Sequence, residues 1–439
     1  MSSPQPLCIG MALAISWLTK NGWRRDDSGV ERMYDTDVYV ELAQRAERAK
    51  LDFLFRPDTL FLATHAVATE PGFSSLDPMV LLATLARETT HIGLVSTAST
   101  TFNPPYVVAR QLQSLNWVTQ GRAGWNIVTA IDGQQNFGQQ TMLPSEARYQ
   151  KAREFTDVVL KLWDSYPSSA IKADKQSGQY ADIGQIQPIT HHGDYFDVQG
   201  PLNVPKRPGG DIPLFQAGAS ESGRQFAASI ADAIFAATPD IDAGVELRND
   251  LRRRALAHGR PANAVKVLPG LSLYLADTRE EAQALHRETH ANIDNTRKFA
   301  YVKEALGLDL SQLALEQRIT VDMLPSPEYQ VRSQTHSNLL RRLIERESPT
   351  MATLLERPEV IGSAHWIVIG TVDDPFNALV QRLTVERVNA GAADGFIAVP
   401  GGSWQSVDLF FDELIPRLSQ AGLFRSDYQG RTLRDHLGL

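Results

Sequence analysis

The sequence has little cysteine and little positive charge. Its 439 residues include a single cysteine, Cys8. One thiol cannot form a disulfide framework, which excludes the class of small secreted domains that depend on disulfides. The 43 Lys and Arg residues are outnumbered by 51 Asp and Glu, giving a formal net charge of -8. Because a mildly acidic surface repels phosphate backbones and anionic lipids, we expect neither nucleic acid nor membrane as a partner.

The sequence also lacks a long hydrophobic run. A membrane-spanning helix needs about 20 consecutive apolar residues, whereas the apolar part of the N-terminal segment covers only residues 7–17. That segment has no early basic region of the kind that opens a secretory signal peptide. We therefore interpret residues 7–15 as a first β-strand and predict a cytoplasmic protein.

Short apolar stretches alternate with amphipathic helical patterns along the whole chain. This alternation predicts parallel strands joined by right-handed helical crossovers, and eight such units favour a closed (β/α)8 TIM barrel. Residues 165–211 and 278–357 exceed the length that a crossover needs, so we predict two insertions in a single domain that spans residues 1–439. The predicted strands are 7–15, 51–55, 92–96, 122–129, 212–216, 232–237, 265–275 and 395–399.

The residues that follow the predicted strands are mostly hydroxyls, amides and glycines. In a barrel of this kind the active site is built at the C-terminal ends of the strands. Metal hydrolases need several converging His, Asp and Glu ligands, Schiff-base enzymes need a lysine on a strand, and glycosidases need two carboxylates. None of these sets is visible, so we expect no metal site and favour a bound cofactor that carries its own chemistry. The strand-end residues are Ser16, Trp17, Asp58, Thr59, Thr97, Ser99, Asn126, Thr129, Gly218, Ala219, Ser220, Thr238 and residues 400–402.

The segment 216–226, QAGASESGRQF, is the best candidate for a phosphate site. It passes from a strand through a glycine and small polar residues into a helix, whose first N–H groups favour anions. Ser220 would add a hydroxyl and Arg224 is a candidate for positive charge. Tyr149, in a helix after the fourth strand, could reach the same phosphate. The alternatives are a well-capped helix after a tight turn and a half-buried core tyrosine.

Three further side chains are candidates for a substrate pocket at the barrel mouth. His65 lies in the loop after the second strand, where it would act as an acid or base or line the pocket. The alternative is a surface histidine. Trp17 and Phe61 would line the pocket, or only pack against the barrel. The two adjacent histidines at 191–192 are best interpreted as part of a solvated turn rather than a metal site.

Several long motifs are similar to one known family. The stretches GRAGWNIVT with NFG shortly after it, QAGASESGRQFAA, and the ending AGAADGFIAVPGG…LFRSDYQGRTLRDHLGL resemble the bacterial-luciferase-like flavin monooxygenases. The likeness is to the branch of nitrilotriacetate monooxygenase, dibenzothiophene-sulfone monooxygenase and pristinamycin synthase. It implies a (β/α)8 barrel with insertions, reduced FMN from a separate NAD(P)H-dependent flavin reductase, and O2 as co-substrate. It also implies a homodimer or homotetramer.

The resemblance assigns implied roles to the same strand ends. Asp58 and Thr97 would lie near the flavin ring, and Asn126 and Thr129 would be the polar positions of the fourth strand. The FMN phosphate and ribityl contacts would be Tyr149, Ala219 and Ser220, and Gly218 at the end of the fifth strand is a further candidate for cofactor binding.

This chain departs from its relatives at three places. Ala130 and Ile131 follow NIVT where many relatives have Ser-His or Ser-Tyr, Ser145 replaces a histidine, and 21–25 lacks the histidine of the first loop. We therefore name no catalytic acid or base, and expect the flavin to carry the chemistry. The leading hypothesis is an FMNH2-dependent monooxygenase, the oxygenase of a two-component system acting on a small organic substrate. The alternatives are a deazaflavin-dependent oxidoreductase, a non-catalytic flavin-binding protein, and an isomerase or lyase of phosphorylated substrates.

Overall fold

Eight parallel strands form a closed barrel, which confirms the predicted fold class. The computed structural model describes residues 6–439 except 219, 239, 327, 328, 330, 332, 333, 362–364 and 389–392. Each strand pairs with the next, the eighth pairs with the first, and each overlaps its predicted range. The strands are Cys8–Ala12, Phe53–Arg56, Gly93–Ser99, Ala123–Val128, Leu214–Gln216, Ala233–Ala236, Lys266–Leu275 and Gly395–Pro400.

The seventh strand carries an additional partner that we did not predict. The strand Trp366–Gly370 pairs with residues 271–275, while the first half of the seventh strand pairs with the sixth. The seventh strand, with 10 residues, is therefore longer than its neighbours and extends beyond the sixth on the side of its carboxyl end. We call that end of the barrel, where all eight strands have their carboxyl ends, the mouth.

Helices cover the outside of the barrel. Two of them begin at aspartates, because Asp35 and Asp77 cap them by accepting hydrogen bonds from the backbone N–H groups of Asp37 and Val80. The helices outside the insertions are Thr36–Arg48, Thr64–Val67, Pro78–Glu88, Pro105–Val118, Ser145–Asp164, Glu221–Ile230, Ile241–Ala257, Asp373–Val388, Trp404–Leu409, Ile415–Gln420 and Leu433–Leu437. Among the described residues, no helix has the length and apolar character that crossing a membrane demands.

Aromatic rings fill the barrel interior in two layers. The Phe53 and Phe215 rings lie 5.0 Å apart between centroids, and the Phe55 and Phe235 rings 5.4 Å apart nearer the mouth. Leu433, on the last helix, belongs to the same buried cluster and closes the end opposite the mouth. The interior is therefore packed, so any ligand must bind at the mouth.

The two long segments between barrel units contain different structures. Residues 165–211 hold two small antiparallel pairs, Ile171–Asp174 with Gln179–Ala181 and His191–His192 with Asp197–Val198. The two histidines are thus in a hairpin rather than a turn, and the Nε2 atom of His191 lies 3.1 Å from Glu154 Oε1. Residues 278–357 form a helical unit with its own hydrophobic cluster. Its helices are Arg279–Thr289, Asn295–Leu306, Gln334–Glu347 and Met351–Leu355, followed by Pro358–Ile361.

Candidate active site

A hydrogen-bonded pair of side chains joins the third and fourth strands at the mouth. Thr97 and Asn126 are directly opposite in the parallel register, and Asn126 Nδ2 donates to Thr97 Oγ1 at 3.0 Å. Both residues are buried. The other amide atom, Asn126 Oδ1, has no hydrogen-bond partner within the described part of the chain. Buried polar atoms are normally paired, so an unpaired acceptor here marks a place for a ligand's donor.

Two more buried acceptors without a partner follow on the neighbouring strands. Gln216 Oε1 ends the fifth strand and Thr238 Oγ1 lies just after the sixth, and neither atom meets a donor among residues 6–439 as far as they are described. Three adjacent strands thus carry buried, unsatisfied polar atoms at the same end. Such a concentration is typical of a ligand site rather than of a packed core.

Tyr149 is the centre of a cluster that we call the hydroxyl cradle, made of Tyr149, Thr129, Gln216, Gly218 and Ser220. The Tyr149 hydroxyl is hydrogen-bonded to the side chains of Ser220, Thr129 and Gln216. Burial raises the pKa of Tyr149, so its phenol stays neutral at physiological pH. The Tyr149 hydroxyl is therefore the point where three elements meet: the helix 145–164, the fifth strand 214–216 and the start of the helix 221–230.

Ser220 places the cradle at the start of a helix. Its Oγ accepts a hydrogen bond from the N–H of Gly223 at 3.2 Å and caps the helix Glu221–Ile230. The first N–H groups of a helix have no intrahelical acceptor, and the helix dipole there favours a negative charge. The cradle consequently has the properties of a phosphate site. Ala219, which we predicted to share it, lies outside the described residues.

Two glycines allow the cradle to close. A Cβ atom at Gly218 would lie 2.7 Å from both the Tyr149 hydroxyl oxygen and Gln216 Nε2. A Cβ atom at Gly223 would lie 2.8 Å from the same hydroxyl. Both distances are too short for a real side chain, so only glycine lets the fifth-strand loop approach Tyr149 this closely.

The positive charge beside the cradle comes from Arg148, not from Arg224. The Arg224 guanidinium pairs with Glu246 and Asp250, the former through both terminal nitrogens, which corrects our expectation that it would serve a phosphate. Arg148 precedes Tyr149, and its Nη1 donates to the Leu143 carbonyl at 2.6 Å. Its Nε is buried without an acceptor in the described structure. The stretch SEARYQKAREF contains both residues, but its sequence pattern predicts a role only for Tyr149.

Asp58 is the single carboxylate that the sequence places at a strand end. It is half-buried in the loop after the second strand, where burial and the negative charge of Asp77 raise its pKa to about 6. Arg56 offsets part of that rise. Within the described ranges, no group of three or more His, Cys, Asp or Glu side chains is placed to hold a metal ion.

The three candidate pocket residues have different environments. Trp17 is buried, with its ring 4.6 Å from that of Trp404 in the hydrophobic cluster around the first strand. His65 is exposed on the short helix Thr64–Val67, and Phe61 is half-buried in the same loop. Their assignment to a substrate pocket stays a prediction.

The second long segment brings imidazoles to the seventh strand, which sequence reasoning missed. The Tyr274 ring lies 4.8 Å from the ring of His286 and 5.7 Å from that of His290. His365 Nδ1 lies 3.1 Å from Ser272 Oγ. The contact between Ser272 and His365 spans 93 positions of sequence, so no local pattern could reveal it.

A polar cleft of about 610 Å³ lies apart from these groups. It is lined by Asn21, Gly22, Arg24, Arg25, Asp26, Asp27, Glu288 and Thr289. None of the strand-end residues described above borders it, so we do not assign it to the candidate active site.

The chain is similar to known proteins over nearly its whole length. A family model described as "Luciferase-like monooxygenase" matches residues 11–358. Nitrilotriacetate monooxygenase component A of Aminobacter aminovorans is 36% identical over 454 residues, which cover 100% of this chain and 98% of that protein. Dibenzothiophene-sulfone monooxygenase of Rhodococcus erythropolis is 32% identical over 429 residues, covering 95% and 92%. The solved structure of riboflavin lyase with modified FMN and substrate riboflavin has a TM-score of 0.82 at 29% identity, covering 99% and 96%.

Proposed function

Because this chain belongs to the luciferase-like monooxygenase family, we propose that it is the oxygenase component of a two-component system. Members of this family are flavin-dependent monooxygenases, and so is this chain. In the proposal a separate NAD(P)H-dependent flavin reductase supplies FMNH2, O2 is the co-substrate, and a small organic molecule is oxygenated. The proposed assembly is a homodimer or homotetramer. The observation that carries the proposal is the hydroxyl cradle at a helix N-terminus beside three unsatisfied acceptors.

The residues of the mouth fit an FMN molecule. Its phosphate would bind at the start of the helix Glu221–Ile230, against the hydroxyls of Ser220 and Tyr149 and near the Arg148 guanidinium. The isoalloxazine ring would lie near Asp58, Thr97 and Asn126, where the unpaired Asn126 Oδ1 can accept a hydrogen bond from it. When bound in its reduced form, FMN supplies the electrons that activate O2 for transfer of one oxygen atom.

The protein's own part in the reaction is to orient its ligands and to exclude water. Neutral Tyr149 is held in place by its hydrogen bonds, and its O–H can turn from one of these partners to donate to a phosphate oxygen. The loops after the second and fourth strands are tied together, because Asn136 Nδ2 donates to the Leu60 carbonyl at 2.9 Å. Loops joined in this way would cover the mouth and keep water from the reactants.

The test is an oxygenation assay on the intact protein. It contains FMN, NADH, a generic flavin reductase and a panel that includes nitrilotriacetate and dibenzothiophene sulfone, the compounds named in two relatives. We expect an oxygenated product that requires both FMN and O2. Consumption of NADH with hydrogen peroxide as the only product, across a broad panel, would contradict the proposal.

Two further measurements separate the alternatives. Anaerobic titration should give tighter binding of FMNH2 than of a reduced deazaflavin; the reverse order would favour a deazaflavin-dependent oxidoreductase. Oxidised FMN should leave the protein during purification. Stoichiometric retention of oxidised FMN together with an inactive panel would favour a flavin-binding protein without catalysis.

A further inference from the structure

An imidazole that follows the second long segment in sequence lies inside the barrel mouth. His365 directly precedes the strand Trp366–Gly370, which pairs with the seventh strand. Along the seventh strand, Leu268 belongs to the interior cluster and side chains alternate, so Ser272 also points inward. His365 Nδ1 lies 3.1 Å from Ser272 Oγ, and its ring lies 5.3 Å from the ring of Phe235. The imidazole therefore stands on the mouth side of the aromatic layer.

A glycine makes room for this ring. A Cβ atom at Gly270 would lie 2.5 Å from His365 Cδ2 and 2.8 Å from Phe235 Cε2. Glycine inside a strand weakens it, and often marks a place where another group approaches closely. Gly270, Ser272 and Phe235 together form a seat for the imidazole, with a hydrogen-bond partner on one side and an aromatic face on another.

The seat is across the barrel from the Thr97–Asn126 pair. In a closed barrel of eight strands the seventh strand is opposite the third, and Thr97 is on the third strand. The contact between Phe55 and Phe235, 5.4 Å between ring centroids, forms the floor between these walls. One wall thus consists of an amide and a hydroxyl, and the facing wall contains an imidazole.

We propose that His365 contacts the reactants of the monooxygenase reaction at the mouth, and that Ser272 positions its ring. This inference deepens the proposed function and rests on it. A flavin ring placed across the floor would have His365 at the wall opposite Asn126, next to the space left for the substrate. Since burial lowers the pKa of His365 to about 4, the ring is neutral and both donates and accepts. A neutral imidazole suits an uncharged polar group of the substrate better than a carboxylate.

Chemical footprinting of the imidazoles with diethylpyrocarbonate tests the placement. The wild-type protein is modified with and without FMN, and the rate at each histidine is followed by peptide mass spectrometry. At an FMN concentration about ten times its Kd, the free fraction and hence the rate at His365 should fall about tenfold. His192, whose side chain is 66% exposed, is the internal control and should react equally fast in both samples.

The outcome separates this inference from the proposed function. Binding of reduced FMN is measured independently by anaerobic titration, and failure of the reduced flavin to bind would contradict the proposed function itself. Bound FMN that leaves the rate at His365 unchanged, or a His365 that does not react in the free protein, would overturn only the inference about this residue.

A variant gives a second readout. For a panel compound that the wild type oxygenates, His365→Gln should lower the product formed per NADH by about tenfold, while the FMN Kd changes less than about twofold. Ser272→Ala should raise KM more than it lowers kcat, and Ser272→Thr should restore the wild-type values because it keeps the hydroxyl. An unchanged product yield in His365→Gln would contradict the proposal.

Discussion

Arg122 and Asn126 lie four positions apart, toward opposite ends of the fourth barrel strand. They differ in how completely their side chains are hydrogen-bonded. Arg122, at the closed end, is buried, and its five N–H donors all have acceptors: Thr119, Ile92 and Ala86 carbonyls and both the carbonyl and the hydroxyl of Thr89. Asn126, at the mouth, is equally buried, yet its Oδ1 has no donor among the described residues.

The difference shows how the barrel divides stability and function between its ends. A fully bonded buried guanidinium fixes the loops at the closed end, whereas an unpaired buried acceptor at the mouth costs about 1–3 kcal/mol until something donates to it. Within the described part of the chain, two further acceptors at the mouth lack a donor, on Gln216 and Thr238. Barrel enzymes in general place catalysis at this end and stability at the other.

Replacing Arg122 should have the largest effect on stability. Arg122→Met leaves five acceptors without their donor in a buried place, so we expect a loss of about 4 kcal/mol in the free energy of unfolding. Thermal unfolding at a fixed scan rate measures it. The FMN Kd of the folded fraction should stay unchanged. A variant as stable as the wild type would show that the closed end does not carry the stability assigned to it.

Replacing a buried polar side chain at the mouth should affect FMN affinity more than stability, the reverse of the result expected for Arg122→Met. Asn126→Leu removes an unsatisfied acceptor but also the donor to Thr97 Oγ1, so we expect the free energy of unfolding to fall by no more than about 1 kcal/mol. FMN affinity should fall about tenfold, because the contact to the ring is lost. Thermal unfolding and fluorescence quenching measure the two effects. A large loss of stability with unchanged FMN affinity would remove the distinction between Asn126 and Arg122.

The smallest effect concerns pH and Asp58. Its pKa in the folded protein is raised to about 6 from an ordinary value of 3.8. The folded state therefore holds a proton that the unfolded state has lost, and this group makes stability fall as pH rises between about 4 and 6. Asp58→Asn should be more stable than the wild type by about 1 kcal/mol at pH 8, allowing for solvent screening, and equal to it near pH 3.5.

Unfolding of both proteins at the two pH values checks this prediction. An equal stability difference at pH 3.5 and pH 8 would show that the carboxyl does not titrate differently in the folded state. In that case the pKa of Asp58 would be the same in the folded and unfolded states.

The sequence was sufficient for the barrel because its signals are local and periodic. Each of the eight strands is a short apolar stretch bounded by turn residues, and each overlaps the observed strand. The cradle was also accessible, since the passage from strand through Gly218 to Ser220 and a helix is contiguous in sequence. The partner Tyr149 came from the family resemblance and from its place after the fourth strand.

The seventh-strand side of the mouth could not be predicted in this way. The strand Trp366–Gly370 pairs with residues nearly a hundred positions earlier, and His365 is seated by Gly270 and Ser272 over a similar separation. A histidine that follows a long helical segment has no sequence pattern around it that predicts which strand it will contact. The ion pairs of Arg224 are also invisible in the local sequence, because its partners Glu246 and Asp250 are on the next helix. The sequence therefore suggests a phosphate contact for Arg224 that the structure does not support.

The most direct test of the account compares FMN with riboflavin, which differ only in the phosphate. Affinities of both reduced flavins are measured anaerobically for the wild type, Ser220→Ala and Thr432→Ala. Thr432 is the matched control, since it caps a helix at the closed end by accepting from Asp435 N–H at 3.1 Å. We predict that FMN binds at least about tenfold more tightly than riboflavin to the wild type and to Thr432→Ala, and that Ser220→Ala abolishes most of that preference. An unchanged preference in Ser220→Ala would contradict the placement of the phosphate at the cradle.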